Sequence, residues 1–258
     1  MVAEDDMSKT FQWNRWAGSV VPVFIMRILR HAFPRLSVPL VLTFLVLGPT
    51  APPGSYLPVN LISTASAAEQ LDAKGLEKAL QVPGTVVLIR HSATFSGIGD
   101  PENFRLEDCR TQRNLSPEGR AQARVFGQWF RDRGLSPAAV RSSQWCRCLD
   151  TANEAFGGQP KTQAWSALNS FFQGHGHWPS QRDAIVKAVL DPATSGVARR
   201  GFEVWVTHQV LISSLTGVYL GMGELVVARP LRSSQTTGDA GPLQWQVVGK
   251  AFVDKDFR

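Results

Sequence analysis

The stretch "TVVLIRHSAT", from Thr85 to Thr94, decides the predicted fold. Its first five residues are apolar or β-branched, which is typical of a strand buried on both faces. Arg90 and His91 follow directly, where the chain has to turn. Because α/β proteins bind ligands beyond the carboxyl ends of their parallel strands, this arginine–histidine pair marks a candidate site.

Strands alternate with helices along the rest of the chain. The segments "PAAVRSS", "FEVWVTH", "GELVVARP" and "LQWQVVGKAFV" are predicted as further strands. Helices are predicted over residues 68–81, 116–134, 145–156 and 209–220, with another after residue 180. This alternation predicts an α/β fold, a three-layer α/β/α sandwich with a mostly parallel sheet.

Two helix starts are signalled by their first residues. Ser116, Pro117 and Glu118 supply an N-cap, a proline at the first helical position and an acid in the first turn. Ser180 is predicted to cap a later helix. The apolar face predicted for that helix consists of Ala184, Ile185, Ala188 and Val189.

Composition limits the class of protein. The chain has 258 residues, of which 43% are hydrophobic, so it can bury a full core. Its formal charge is +6, but the basic residues form no run interleaved with aromatics. This argues against a nucleic-acid partner.

Residues 1–67 are predicted to be a signal peptide, or an N-terminal membrane anchor with a linker. Arg27, Arg30, His31 and Arg35 precede the apolar stretch Val38 to Gly48, and "ASA" offers a cleavage site after Ala67. A proline-rich segment separates the apolar stretch from that site, which keeps an uncleaved anchor as the alternative. We therefore expect an exported, periplasmic domain over residues 68–258, with membrane contact only through the N-terminal segment.

The three cysteines, Cys109, Cys146 and Cys148, all lie in the predicted domain. Cys146 and Cys148 are too close in sequence to pair easily. An exported protein could join Cys109 to Cys146 and leave one thiol free, whereas three free thiols are the alternative.

Three predicted strand ends carry matching chemistry. The first ends in Arg90 and His91, the second leads to Arg147 in the following helix, and the third ends in His208. Any one of these residues could be merely structural. Together they predict a phosphate site, because guanidinium groups match phosphate oxygens in a bidentate way.

The same segments resemble the histidine phosphatase superfamily, which has the phosphoglycerate-mutase-like fold. The family's "RHG" appears as "RHSAT", with Ser92 in place of glycine, and "NLSPEGRAQA", "SSQWCRCLDTA" and "VWVTHQ" resemble its later motifs in the same order. Within the superfamily, the chain most resembles small bacterial exported members, among them lipopolysaccharide core heptose-phosphate phosphatase.

The resemblance implies hydrolysis of a phosphomonoester through a phosphohistidine intermediate on His91. Arg90, Arg147 and His208 would surround the transferring group, and Thr94 and Arg113 are added as phosphate-binding candidates. It implies no cofactor and no metal. The expected substrate is a phosphorylated small molecule or glycan.

The general acid is the weakest part of the prediction. One branch of the family places an acid directly after the second histidine, where this chain has Gln209. We predict Glu224, while Asp100, Asp108, His175 and His177 remain open. Two other functions also remain open, a phosphomutase and a phosphate-binding module without catalysis.

Overall fold

The computed structural model describes residues 68–190, 201–231 and 243–258. The signal peptide or anchor predicted over residues 1–67 lies outside the described residues. Within the described ranges, no helix is long and apolar enough to cross a membrane.

The described chain contains six strands and five α-helices. The strands are β1 (Thr85–Arg90), β2 (Ala139–Ser142), β3 (Gln163–Ala164), β4 (Phe202–Thr207), β5 (Glu224–Leu231) and β6 (Gln244–Phe252). The helices are α1 (Ala73–Leu80), α2 (Pro117–Asp132), α3 (Cys146–Phe156), α4 (Trp178–Leu190) and α5 (Gln209–Thr216). Short 3₁₀ turns lie at Cys109–Thr111, Ser166–Leu168 and Phe172–Gly174.

The strands form one sheet in the order β3-β2-β4-β1-β5-β6. The first four are parallel, β5 is antiparallel to β1, and β6 is antiparallel to β5. In the register of the sheet, Arg90 pairs with Thr207 and Ser142 pairs with Val206. The carboxyl ends of β1, β2 and β4 therefore meet at one edge.

Helices cover both faces of the sheet. Alternate strand residues point to opposite faces, so Val87 packs in the core cluster with α1, α2 and α3, while Leu88 packs in a second cluster with α4 and α5. This arrangement confirms the predicted three-layer α/β fold with a mostly parallel sheet.

Helix α2 packs unusually close to its neighbours at two glycines. A Cβ at Gly119 would lie 1.8 Å from the carbonyl oxygen of Ala93, in the loop after β1, and a Cβ at Gly127 would lie 1.8 Å from that of Ala155 in α3. Ser116 caps α2 as predicted, because its side chain accepts a hydrogen bond from the Gly119 amide. The loop that follows His91 is thereby held against the start of α2.

Several details of the predicted elements are wrong. Helix α1 begins at Ala73 and not at Ala68, because Asp72 caps it and Gln70 pairs with Lys250 instead. On α4, Ala184 is exposed and does not belong to a buried apolar face. Helix α4 begins at Trp178, and Ser180 lies in its first turn, because the carbonyl of His177 accepts the hydrogen bond from the Gln181 amide. Helix α5 ends at Thr216, where Gly217 adopts φ 72° and closes the helix. Strand β3 was not predicted, since its two exposed residues carry no apolar pattern.

Candidate active site

His91 lies buried just beyond β1, with its side chain oriented by the neighbouring backbone. Its Nδ1 lies 2.9 Å from the carbonyl oxygen of Ser92. A carbonyl can only accept, so Nδ1 carries the hydrogen and donates it. The lone pair of His91 is therefore on Nε2, which is the form that a nitrogen nucleophile needs.

The charge state of His91 fits the same role. Burial lowers the pKa of His91 to about 3, and the positive charge of Arg147 adds to this effect, as do those of Arg90 and Arg113. The hydrogen bond to Ser92 opposes the shift only in part. At neutral pH the ring is uncharged and Nε2 is free of a proton.

His208 lies beside His91, with 5.5 Å between the two ring centroids. Its Nε2 lies 2.8 Å from Ser143 Oγ and 3.5 Å from Cys148 Sγ, so Nδ1 is the ring nitrogen left for a ligand. Burial and the charge of Arg147 hold its pKa well below the usual range. Burial also raises the pKa of Cys148 to about 12, so this neighbour stays a neutral thiol.

Arg147 is held by the carboxylate of Asp100, which the sequence offered only as an open candidate for the general acid. Its Nη1 lies 2.8 Å from Asp100 Oδ1, and its Nη2 lies 3.1 Å from Asp100 Oδ2. Both side chains are almost fully buried, at 4% and 3% exposure. The pair places the guanidinium of α3 and the long loop after β1 in fixed contact.

Asp100 receives two further hydrogen bonds, from the amide of Arg113 at 3.0 Å and from Trp145 Nε1 at 2.9 Å. Burial opposes the ionisation of this carboxyl, but the hydrogen bonds and charge of Arg147 outweigh it and lower the pKa of Asp100. It is therefore a carboxylate at neutral pH. Trp145 therefore takes part in the site through its indole N–H, besides packing in the core.

Arg113 also reaches the site, and Thr94 holds it there. Arg113 Nη1 donates to Thr94 Oγ1 at 2.9 Å and to the carbonyl of Gly97 at 2.8 Å. Thr94 does not line the cavity, whereas Arg113 does. Arg90 is fixed in a similar way, by a 2.8 Å bond from its Nη1 to the carbonyl of Leu220.

The three arginines share a feature that points to an anion. All three guanidinium groups belong to residues that line the same cavity, and Asp100 is the one acidic side chain among the described residues that line it. The resulting excess of positive charge favours an anion with several acceptor oxygens.

These side chains border a cavity of about 430 Å³, which lies within the range of small-molecule sites. The residues that line it are Arg90, His91, Gly97, Ile98, Gly99, Asp100, Arg113, Arg147, Ser170, Phe172, Gln173, His175, His208, Gln209, Val210, Tyr219 and Met222.

The candidate proton donors divide between this cavity and other places. Glu224 is not among the lining residues, and its carboxylate accepts a hydrogen bond from the Gly221 amide at 2.6 Å. Asp108 binds Arg105 and Arg110 at the surface, and His177 contacts Ser180. Asp100 and His175 line the cavity.

The disulfide between Cys109 and Cys146 confirms one of the two cysteine arrangements considered. It joins the loop after β1 to the residue directly before Arg147. Cys148 is free and buried. The loop that carries Asp100 and Arg113 is thus covalently attached to the start of α3.

In the described ranges, no group of three or more His, Cys, Asp or Glu side chains is placed to hold a metal ion.

Comparison with known proteins agrees with the fold. Residues 86–178 match the sequence model of the histidine phosphatase superfamily (branch 1). The matched segment contains His91 and Arg147 and ends before His208. No curated protein matches the chain at a significant level.

Several solved structures are similar to this chain at low sequence identity. The putative phosphohistidine phosphatase SixA from Agrobacterium tumefaciens is 16% identical, with a TM-score of 0.40 over 65% of this chain and 96% of that one. Mycobacterial glucosyl-3-phosphoglycerate phosphatase is 16% identical, with a TM-score of 0.45 over 63% and 96%. A putative α-ribazole-5′-P phosphatase from Escherichia coli is 14% identical, with a TM-score of 0.42 over 65% and 97%.

Proposed function

We propose that this protein is a metal-independent phosphatase that hydrolyses a phosphomonoester through a phosphohistidine intermediate on His91. One observation carries the proposal: a neutral buried histidine with a free Nε2 lines the same cavity as three arginines, whose positive charges only one carboxylate among the described lining residues balances. A nucleophile and an oxyanion clamp are the two parts that phosphoryl transfer needs.

In the first step, His91 Nε2 attacks phosphorus, an N–P bond forms and the bond to the alcohol oxygen breaks. Arg90, Arg113 and Arg147 stabilise the charge on the phosphoryl oxygens. His208 contributes through Nδ1 when the Ser143 hydroxyl donates to its Nε2. In the second step, water attacks phosphorus, the N–P bond breaks and its electron pair returns to His91 Nε2, and inorganic phosphate leaves with the protons of that water.

The leaving alcohol oxygen needs a proton, and we assign this role to His175. Asp100 is ionised by its pairing with Arg147, so it carries no proton to give. His175 is an exposed residue that lines the cavity, and its ring contacts Phe104 with 4.7 Å between ring centroids. Imidazole is the side chain most often used for such a transfer.

The role of His175 can be tested with two leaving groups. p-Nitrophenolate departs without a proton, whereas an alkoxide does not. His175→Asn should lower turnover of an alkyl phosphate about 100-fold and leave p-nitrophenyl phosphate nearly unchanged. Equal losses on both substrates would show that His175 is not the acid.

The phosphatase proposal itself is tested by release of inorganic phosphate from phosphomonoesters in the presence of a metal chelator. Wild type should turn over, and His91→Asn should not. Binding of phosphate without any turnover would favour the non-catalytic module, and transfer of phosphate between two hydroxyls of one substrate would favour a mutase.

Export of the protein is part of the same proposal. The disulfide Cys109–Cys146 supports it, because disulfides persist in oxidising compartments such as the periplasm. The glycan substrate expected from the resemblance to heptose-phosphate phosphatase is one outcome of the substrate test below.

A further inference from the structure

The cavity carries three exposed, largely apolar side chains beside the polar residues that line it. Ile98, Tyr219 and Phe172 are 88%, 72% and 45% exposed, and all three line the cavity that contains His91. Among the described residues, seven large hydrophobic side chains are exposed, so nearly half of them belong to this one cavity. Apolar groups clustered beside a polar site indicate a surface that a ligand covers.

The apolar rim is held in place by its own contacts. Gln209 donates from Nε2 to the carbonyl of Val218 at 3.2 Å and accepts from the amide of Leu220 at 2.8 Å, and so fixes the residues on both sides of Tyr219. Gln209 occupies the position where one branch of the family has an acid, and here it positions Tyr219 at the rim instead.

The other two rim residues lie on loops that touch each other. Gly99, next to Ile98, has φ 71°, and a Cβ there would lie 2.3 Å from the side chain of Gln173, next to Phe172. Gln173 itself adopts φ 57°, which is uncommon for a residue other than glycine. The side chain of Gln173 thus lies against the backbone of Gly99, and this contact brings the loops of Ile98 and Phe172 together.

We infer that the preferred substrates are phosphomonoesters of apolar alcohols, with an alkyl or aryl group that lies against Ile98, Phe172 and Tyr219. This inference rests on the proposed function, since the phosphate must first occupy the arginine cluster. A sugar at the same place would lose water from several hydroxyls, and the aliphatic and phenyl side chains of Ile98 and Phe172 offer those hydroxyls no hydrogen bonds.

The test compares alcohols that differ in apolar surface but not in leaving-group chemistry. Ethyl phosphate, hexyl phosphate and glucose 6-phosphate are all esters of primary alcohols. Complete burial of one methylene raises affinity roughly fourfold, and burial on one side raises it about twofold. Hexyl phosphate should therefore exceed ethyl phosphate about 16-fold in kcat/KM, and should also exceed glucose 6-phosphate.

Two variants locate the effect. Ile98→Ser and Tyr219→Ser should each reduce the hexyl-to-ethyl ratio about threefold or more, through KM. Phe252→Ser is the matched control, because Phe252 is an exposed aromatic residue on β6 that does not line the cavity. It should leave the ratio unchanged. All three positions are exposed, so the substitutions have little effect on folding.

The outcomes separate this inference from the proposed function. A hexyl-to-ethyl ratio of kcat/KM near one, or a preference for glucose 6-phosphate, would overturn the inference, while the proposed phosphatase activity would stand. A hexyl-to-ethyl ratio that stays as high in Ile98→Ser and Tyr219→Ser as in wild type would also overturn the inference. If no ester is turned over, the proposed function fails. Dissociation constants measured by calorimetry for ethyl and hexyl phosphate then decide whether the apolar rim binds the alkyl group, and equal constants would overturn the inference.

Discussion

His91 is expected to make the protein less stable in mild acid, and the structure sets the size of the effect. The pKa of His91 is about 3 in the folded protein, against 6.5 for an exposed histidine. Between these values the unfolded chain binds a proton that the folded protein does not. The free energy of unfolding therefore decreases as the pH falls from 6.5 toward 3.

For one histidine the slope is about 1.4 kcal/mol per pH unit. At pH 5 the ring of His91 should lower stability by about 2 kcal/mol relative to pH 8. In His91→Asn the titrating ring is gone, while the amide nitrogen can still donate to the carbonyl of Ser92. Between pH 8 and pH 5, the free energy of unfolding of this variant should decrease by about 2 kcal/mol less than that of wild type.

The assay is urea unfolding followed by tryptophan fluorescence at pH 8 and pH 5. His175→Asn serves as the matched control, since it removes an exposed histidine at the same cavity. His208 is present in every protein compared, so its own contribution largely cancels. If wild type and His91→Asn show the same pH dependence, the folded protein protonates His91, and the neutral nucleophile has to be abandoned.

Three further predictions follow from buried contacts. Arg147→Ala should lower kcat/KM about 100-fold or more. It should also lower the free energy of unfolding by about 3 kcal/mol, because Asp100 is left buried without its partner. The double variant Arg147→Ala with Asp100→Ala should recover stability in urea unfolding but should not recover turnover. Reduction of Cys109–Cys146, which closes a loop of 37 residues, should cost about 4 kcal/mol of stability in the same assay, and an unchanged unfolding midpoint would refute this. Gly127→Ala should lower the free energy of unfolding by about 1–3 kcal/mol, since its Cβ would meet the backbone of Ala155; no loss would mean that α2 and α3 can move apart freely.

The central part of the fold could be predicted because its signals are local. The apolar run before Arg90 and the capping residues Ser116 and Pro117 each act within a few positions, and the structure has the predicted elements there. Parallel strands then bring their carboxyl ends together, which is why Arg90, His91, Arg147 and His208 could be expected at one edge.

The parts that could not be predicted depend on the path of long loops. Asp100 and Arg147 are 47 positions apart in the sequence and form an ion pair in the structure. No local sequence pattern predicts where a loop of this length folds back. The same holds for His175, which was one of several open candidates, and for Glu224, which lies near the strand ends but not among the residues that line the cavity.

The central claim is that phosphate is carried on His91. Wild type should be mixed with a phosphomonoester, quenched without acid, digested and sequenced by mass spectrometry. We expect phosphate on the peptide that contains His91, lost in acid and stable in base, and none in His91→Asn; His208→Ala should still form it, more slowly. A label on any other residue, or turnover by His91→Asn, would contradict the account.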